Sequence, residues 1–268
     1  MRSLWLCAAA LLLAGSAVAA EPPALARART LYNAADYDAA IAAAGEALAV
    51  PGASDAAGLV RARAHLERFR HIADASDLSA ARDALNAIRP ASLSPRDQLD
   101  LLVGLGQSLY LGDLFGPAAE LFDSAIQRAT MLAPRDRELL LDWWATALDR
   151  EAQGSPSDRR VRLCAQLAAR MEEELRRDPG IAAANYWRAV ARRGAGDIDG
   201  AWDAAVAAWV RAPFGAATAA ALRADIDRLV TEALIVERAR AHPTSEQDAA
   251  AEGLRAQWES IKSQYGPY

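Results

Sequence analysis

No stretch of this chain alternates polar and apolar residues as a half-buried strand would, and β-branched residues are sparse throughout. Beyond residue 20, apolar residues recur at helical spacing in almost every segment instead. The periodic runs break at Pro51-Gly52-Ala53-Ser54, Pro90 to Pro95, Gln153-Gly154-Ser155-Pro156, Asp178-Pro179-Gly180 and His242-Pro243-Thr244. Each break is a turn of a few residues. Start signals sit beside them. Ser94-Pro95-Arg96-Asp97 offers a capping hydroxyl, a proline at the first helical position and an acid in the first turn; Ser155-Pro156-Ser157-Asp158 repeats the pattern. Thr244 with Gln247 resembles a capping box. The expectation is an all-α chain of roughly twelve helices with short connections. Its length of 268 residues, 53% of them apolar, is enough to bury a substantial core.

Residues 1–20 read differently. Arg2 precedes an apolar run from Leu4 to Leu13, and Ala17-Val18-Ala19 forms a small-residue cleavage pattern ahead of Glu21-Pro22-Pro23. This predicts a secretory signal peptide cut after Ala19 or Ala20, and a mature chain in the periplasm or another exported compartment. The apolar run is short for a spanning helix. Cys7 lies inside it, without the small residues that would precede a lipidated cysteine. No later apolar run reaches 18 residues, so no transmembrane segment is expected in the mature chain. The net charge is −5 and becomes more negative with the loss of Arg2. Such a chain lacks the basic face that nucleic acid requires. After cleavage Cys164 is the one cysteine left, and Leu163 and Leu167 nearby predict a small buried hydrophobe rather than a disulfide partner.

Residues 102–129 carry Gly104 and Gly106 inside one helix and small residues along the next. Glycine within a helix costs about 1 kcal/mol against alanine, so a steric reason is expected. Leu102, Leu105, Gly106 and Leu109 give a large-large-small-large pattern; Ala118, Phe122 and Ala125 give small-aromatic-small. This resembles the tetratricopeptide repeat. Residues 184–213 place Ala189, Ala201 and Ala208 at the small positions, with Gly196-Asp197 at the turn and Pro213 at the end. Residues 24–51 do the same with Ala28, Leu31, Ala40 and Ala47. Residues 62–90 are more degenerate, with Ala81, and a fourth unit runs from Ala147 to a helix near residue 167. The resemblance implies a right-handed superhelical solenoid of antiparallel helix pairs over residues 21–213. It also implies that Gly106 sits where the second helix crosses closest. Residues 214–268 do not match. Leu222, Ile226, Leu229, Val230 and Leu234 form one stripe there, and Leu254, Trp258 and Ile261 another. They are expected to be helices capping the array.

No constellation for chemistry stands out. His65 and His71 are six apart and share no helical face as a metal pair would, so solvated or loosely packed histidines are expected. Asp36 with Asp38 and Asp197 with Asp199 fall at inter-helix turns, where a helix N-terminus favours negative charge. There is no phosphate loop and no nucleophile elbow. The expectation is therefore a protein that is not an enzyme and takes no cofactor or metal. The resemblance implies that the first helices of the pairs line a concave face. Its groove positions fall on Val103, Gln107 and Tyr110 in the third unit, Trp144 and Leu148 in the fourth, and Tyr186 and Arg193 in the fifth. The first two units contribute Arg29 and Arg70. Arginines at one end and aromatics at the other suit an extended peptide with an acidic or carboxylate element. The family's carboxylate clamp of asparagine and lysine is absent. The expected role is an exported scaffold that binds a protein or peptide partner, peripheral to a membrane complex. The alternative is an accessory subunit binding a small apolar ligand for a transport system.

Overall fold

The periodic runs all fold as helices, and the described residues (21–128, 132–214 and 219–266 of a computed structural model) contain no strand. The leader predicted at residues 1–20 lies outside them. The order is α1 (Pro23–Asn33), α2 (Tyr37–Ala47), α3 (Ser54–Ile72), α4 (Ala75–Ala87), α5 (Pro95–Tyr110) and α6 (Phe115–Gln127). Then follow α7 (Pro134–Gln153), α8 (Ser157–Arg177), α9 (Ala182–Gly194) and α10 (Ile198–Arg211). The helix α11 is assembled from Ala219–Leu229, a π-helical stretch Val230–Leu234 and Ile235–Ala239, and α12 spans Gln247–Gln264.

One turn recurs between α1 and α2, α5 and α6, and α9 and α10. Ala35, Asp113 and Gly196 take the left-handed conformation, with φ of 60°, 60° and 87°. In each turn the next residue's N–H (Asp36, Leu114, Asp197) reaches back to the carbonyl five residues earlier, on Leu31, Leu109 and Arg192. These bonds satisfy carbonyls that the helix end would leave open. Asp36 and Asp197 then cap the second helix, accepting from the N–H of Ala39 and Gly200. That is the anion-at-N-terminus role read from the sequence. Ser94 caps α5 as expected, accepting from Asp97 N–H. Two other start signals differ. The Ser155 hydroxyl donates backward to the Glu151 carbonyl, and α8 begins after Pro156 without a side-chain cap. Thr244 opens a 3-10 turn, and Gln247 spends its amide on the His242 carbonyl.

Each helix packs against the next, and the odd-numbered helices α1, α3, α5, α7, α9 and α11 also touch one another in series. The apolar interior follows the same order. Four adjoining clusters run from α1–α3, through α3–α5 and α5–α9, to α9–α12. The small residues sit at the crossings. Ala28, Ala40, Ala118, Ala125, Ala147, Ala189, Ala201 and Ala208 have no exposed surface, and neither has Phe122. Gly106 answers the steric question directly: a Cβ there would lie 2.6 Å from Cε1 of the Phe122 ring. That ring is walled in by the core and has no flexible end to move aside. Gly106→Ala is therefore expected to lose about 1–3 kcal/mol by overpacking, despite its higher helix propensity. Urea denaturation measures this, and an unchanged or higher midpoint would contradict it. Gly104 has a neighbour too, since its Cβ would sit 3.3 Å from Cδ2 of Leu85 on α4.

At the C-terminal end α11 buries Ile226, Val230 and Leu234, with Leu222 and Leu229 partly covered. The last helix packs back through Trp258, whose ring meets Trp202 and Trp209 of α10 edge-on at 6.1 and 5.3 Å. Cys164 is buried, and burial pushes its thiol up from the usual range. It fills the space beside Gly194, where a Cβ would come within 2.5 Å of its Sγ. No helix among the described residues is long and apolar enough to cross a membrane.

Candidate functional site

A groove of about 560 Å³ runs across the layer of odd-numbered helices. Helical spacing decides which side chains enter it. From α3 come Arg63, Glu67 and Arg70; from α5, Asp100, Val103, Gln107 and Tyr110; from α7, Asp136, Leu139, Trp143 and Thr146. Each set steps by three or four residues along one helical face. Tyr32 of α1 closes one end and Asp142 borders the other. Leu139 keeps 53% of its surface exposed, a large apolar side chain open to the groove.

Aromatic contacts and charge pairs shape the walls. Trp143 stands edge-on to Tyr110 at 5.2 Å and tilts against Phe122 at 5.8 Å. The Arg70 guanidinium lies 5.1 Å over the Trp143 ring, so α3 and α7 meet above α5. Arg63 lies 4.7 Å over Tyr32 and donates to Asp100 at 3.1 Å. Its Nε has no partner but is enclosed, out of a ligand's reach. Burial pushes the Tyr32 hydroxyl up, against the pull of Arg63.

Arg29 and Arg70, expected to receive an acidic ligand, are already engaged, and so is their neighbour Arg96. Arg70 pairs with Glu67 at 2.7 Å, Arg96 with Asp100 and Asp136 at 3.5 and 3.6 Å, and Arg29 with Glu21 and Asp97 at 2.7 and 3.0 Å. Asp142 differs. It takes part in no ion pair among the described residues, and its one polar partner is the Trp187 indole N–H at 2.9 Å. Burial raises its carboxyl above the usual range; Trp187 pulls it down and Asp225 pushes it up. Beyond it, burial raises Asp149 as well. The Tyr186 hydroxyl is pushed up to about 12 by burial and by the surrounding Asp225, Asp149 and Asp142.

The six groove residues expected from the sequence divide evenly. Arg70, Gln107 and Tyr110 come together in this groove. Trp144 does not: it is 1% exposed and packs on the opposite side of α7, with Arg170 of α8 5.4 Å over its ring. Leu148 follows it into the core. Arg193 is taken up by a two-pronged pair with Glu237 of α11, at 2.7 and 3.0 Å. Tyr186 stays half-buried, edge-on to Trp187, outside the groove lining. The fourth-unit register fails because Ala145, two residues before Ala147, is buried as fully; counted from Ala145 the groove positions fall on Asp142 and Thr146, both in the lining, instead of Trp144 and Leu148. Leu139, Asp142 and Trp143 were missed for that reason. An apolar, acidic and aromatic face in steps of three to four was the available signal.

His65 is a second correction. It is buried rather than solvated, with Nδ1 2.7 Å from Oδ1 of the buried Asp77, and Arg68 grips both oxygens of Asp77. Arg68 reaches on to Asp38 of α2, so the network joins three helices. The Arg68 bonds hold the Asp77 carboxyl below its usual range, outweighing burial, and His65 adds to the effect. A depressed folded pKa contributes stability that is present above the unfolded value of about 3.9 and is lost as pH falls through the folded one. Asp77→Asn is expected to be less stable at pH 7 and to lose less on acidification below about pH 4. Thermal melts from pH 7 to pH 2 check this; parallel losses in both proteins would contradict it. His71 stacks on Tyr37 at 5.7 Å.

No protein-family model matches this chain, and neither a curated protein nor a solved structure is significantly similar to it.

Proposed function

We propose that the protein is an exported, non-catalytic binding or scaffold protein that holds an extended peptide, or a segment of an envelope protein, in the groove between α3 and α7. The observation that carries this is the groove itself. Three parallel faces of one helical layer converge on it, and it leaves Leu139 exposed beside an aromatic wall of Tyr110 and Trp143. Exposed apolar surface flanked by polar groups is the mark of an interaction site. Its volume lies in the range of sites that enclose a few side chains.

The architecture belongs to the same reading. A right-handed superhelical solenoid of tetratricopeptide type, with α11 and α12 as its cap, is supported by the recurring turn, the buried small residues and the chain of odd-helix contacts. Such an array puts one helical layer on its concave side. Export rests on the leader pattern of residues 1–20. The lining favours a peptide over a small apolar ligand, because charged groups from all three helices reach the groove.

A pull-down from envelope extract compares the wild-type chain with Leu139→Asp, a change at an exposed position that leaves the core intact. Partners recovered by the wild type and lost by the variant support the reading. Identical recoveries remove the groove from consideration.

A further inference from the structure

We propose that the occupant of the groove is a basic peptide segment, one that sets an arginine or lysine side chain against Asp142 and an apolar side chain against Leu139. This rests on the binding reading above and gives the ligand a charge, the reverse of the acidic element expected from the arginines in the sequence.

The pairing of charges decides the sign. Arg63, Arg70 and Arg96 each already face a carboxylate of the protein, at 3.1, 2.7 and 3.5 Å. An acidic ligand would have to displace one of those carboxylates and leave it without its cation, which offsets what the new pair contributes. Asp142 presents the opposite situation. It is exposed in the groove lining; its carboxylate accepts one indole N–H and has no cation at ion-pair distance among the described residues. A groove carboxylate without a cation of its own is the one place among the described lining residues where a ligand's counter-charge displaces no existing pair. The same end of the helical layer adds Asp149, whose one hydrogen bond comes from Gln153 at 2.6 Å, and the Tyr186 hydroxyl. Of the cations at this end, Arg193 is spent on Glu237 and Arg228 on Asp225, while Arg150 lies toward Asp149 rather than Asp142.

The remaining surface fits the rest of such a segment. Long basic side chains carry methylene stems that lie well along aromatic walls, and Trp143 and Tyr110 supply one beside Asp142. Leu139, one turn before Trp143, is open to receive an apolar neighbour on the ligand. A linear polyamine would satisfy Asp142 but has no branch for Leu139. An extended peptide, rising about 3.3–3.6 Å per residue, carries both.

The test uses the full chain and two fluorescein-labelled octapeptides, one alternating leucine with arginine and one alternating leucine with glutamate, read by fluorescence anisotropy. Asp142→Asn keeps the oxygen that accepts from Trp187 and removes the charge. Asp203→Asn removes an exposed charge on α10, away from the groove. The expected result is that the arginine peptide binds and the glutamate peptide does not. Asp142→Asn then weakens binding at least about fivefold, while Asp203→Asn changes it less than about twofold. Binding of the glutamate peptide, lost in Leu139→Asp, overturns the basic assignment and leaves the groove reading standing. Displacement of the arginine peptide by spermidine at equal affinity overturns the peptide assignment in favour of a polyamine. Binding weakened equally by both Asp→Asn variants, or no binding of either peptide, overturns the groove as the site as well.

Discussion

Trp258→Ala is expected to cost about 3–5 kcal/mol, although Trp258 lies on the last helix of the fold. Its side chain has no exposed surface. Its ring fills the space between Trp202 and Trp209. Edge-to-face aromatic pairs add to the area they bury. Its indole N–H also donates to Asp227 at 2.8 Å, and Lys262 reaches the same oxygen at 2.9 Å. Truncation thus opens a cavity and removes a donor together. Because α12 docks largely on α11, the loss should appear first as detachment of that end. Limited proteolysis in the Ala241–Glu246 connection should accelerate before the rest of the chain melts. A loss below about 1 kcal/mol in urea denaturation, with no new cleavage there, would show that α12 adds little to the packed helices.

Arg137→Ala is expected to cost a similar amount. Glu174 of α8 is 1% exposed and receives both arms of Arg137 from α7, at 2.6 and 3.0 Å. Arg177 stands further off at 3.4 Å. Removing Arg137 leaves a buried carboxylate with one distant partner, and breaking such a pair costs about 3–5 kcal/mol. The complementary experiment separates the pair from its position. Arg137→Met with Glu174→Leu removes both charges and keeps the volume, and is expected to recover most of the loss. If the double variant were no more stable than Arg137→Ala alone, packing rather than the stranded charge would be the cause.

The parts of this fold that were legible in the sequence are the ones set by short-range chemistry. Ser94, Asp36 and Asp197 cap helices because their oxygens sit within reach of N–H groups two or three residues on. Gly106 and Phe122 were legible as a pair, since glycine in an alanine-rich helix signals a close neighbour. The groove was legible only where the small-residue pattern is complete, as around Gly106 and Phe122. Gln107 and Tyr110 follow from Gly106, whereas Trp144 followed from Ala147, and Ala145 two residues earlier proved to be buried as fully. A two-residue error turns a helical face by about 200°, enough to exchange core for groove. The ion pairs between helices were not legible, unlike Arg70 with Glu67 and Arg96 with Asp100 at three and four residues. Arg29 meets Asp97 across 68 residues, Arg193 meets Glu237 across 44, and His65 finds Asp77 on the next helix. No spacing rule links those positions, so arginines that looked available to a ligand proved to be neutralised within the fold.

Photo-crosslinking at two exposed apolar positions tests the groove most directly. Benzoylphenylalanine placed at Leu139 faces into the groove, and the same residue at Val161 on α8 lies outside its lining. Irradiated in cells, the 139 variant is expected to give a discrete covalent adduct that the 161 variant lacks. An identical adduct pattern at both positions, or no adduct at 139, would contradict the assignment of this groove as the binding site.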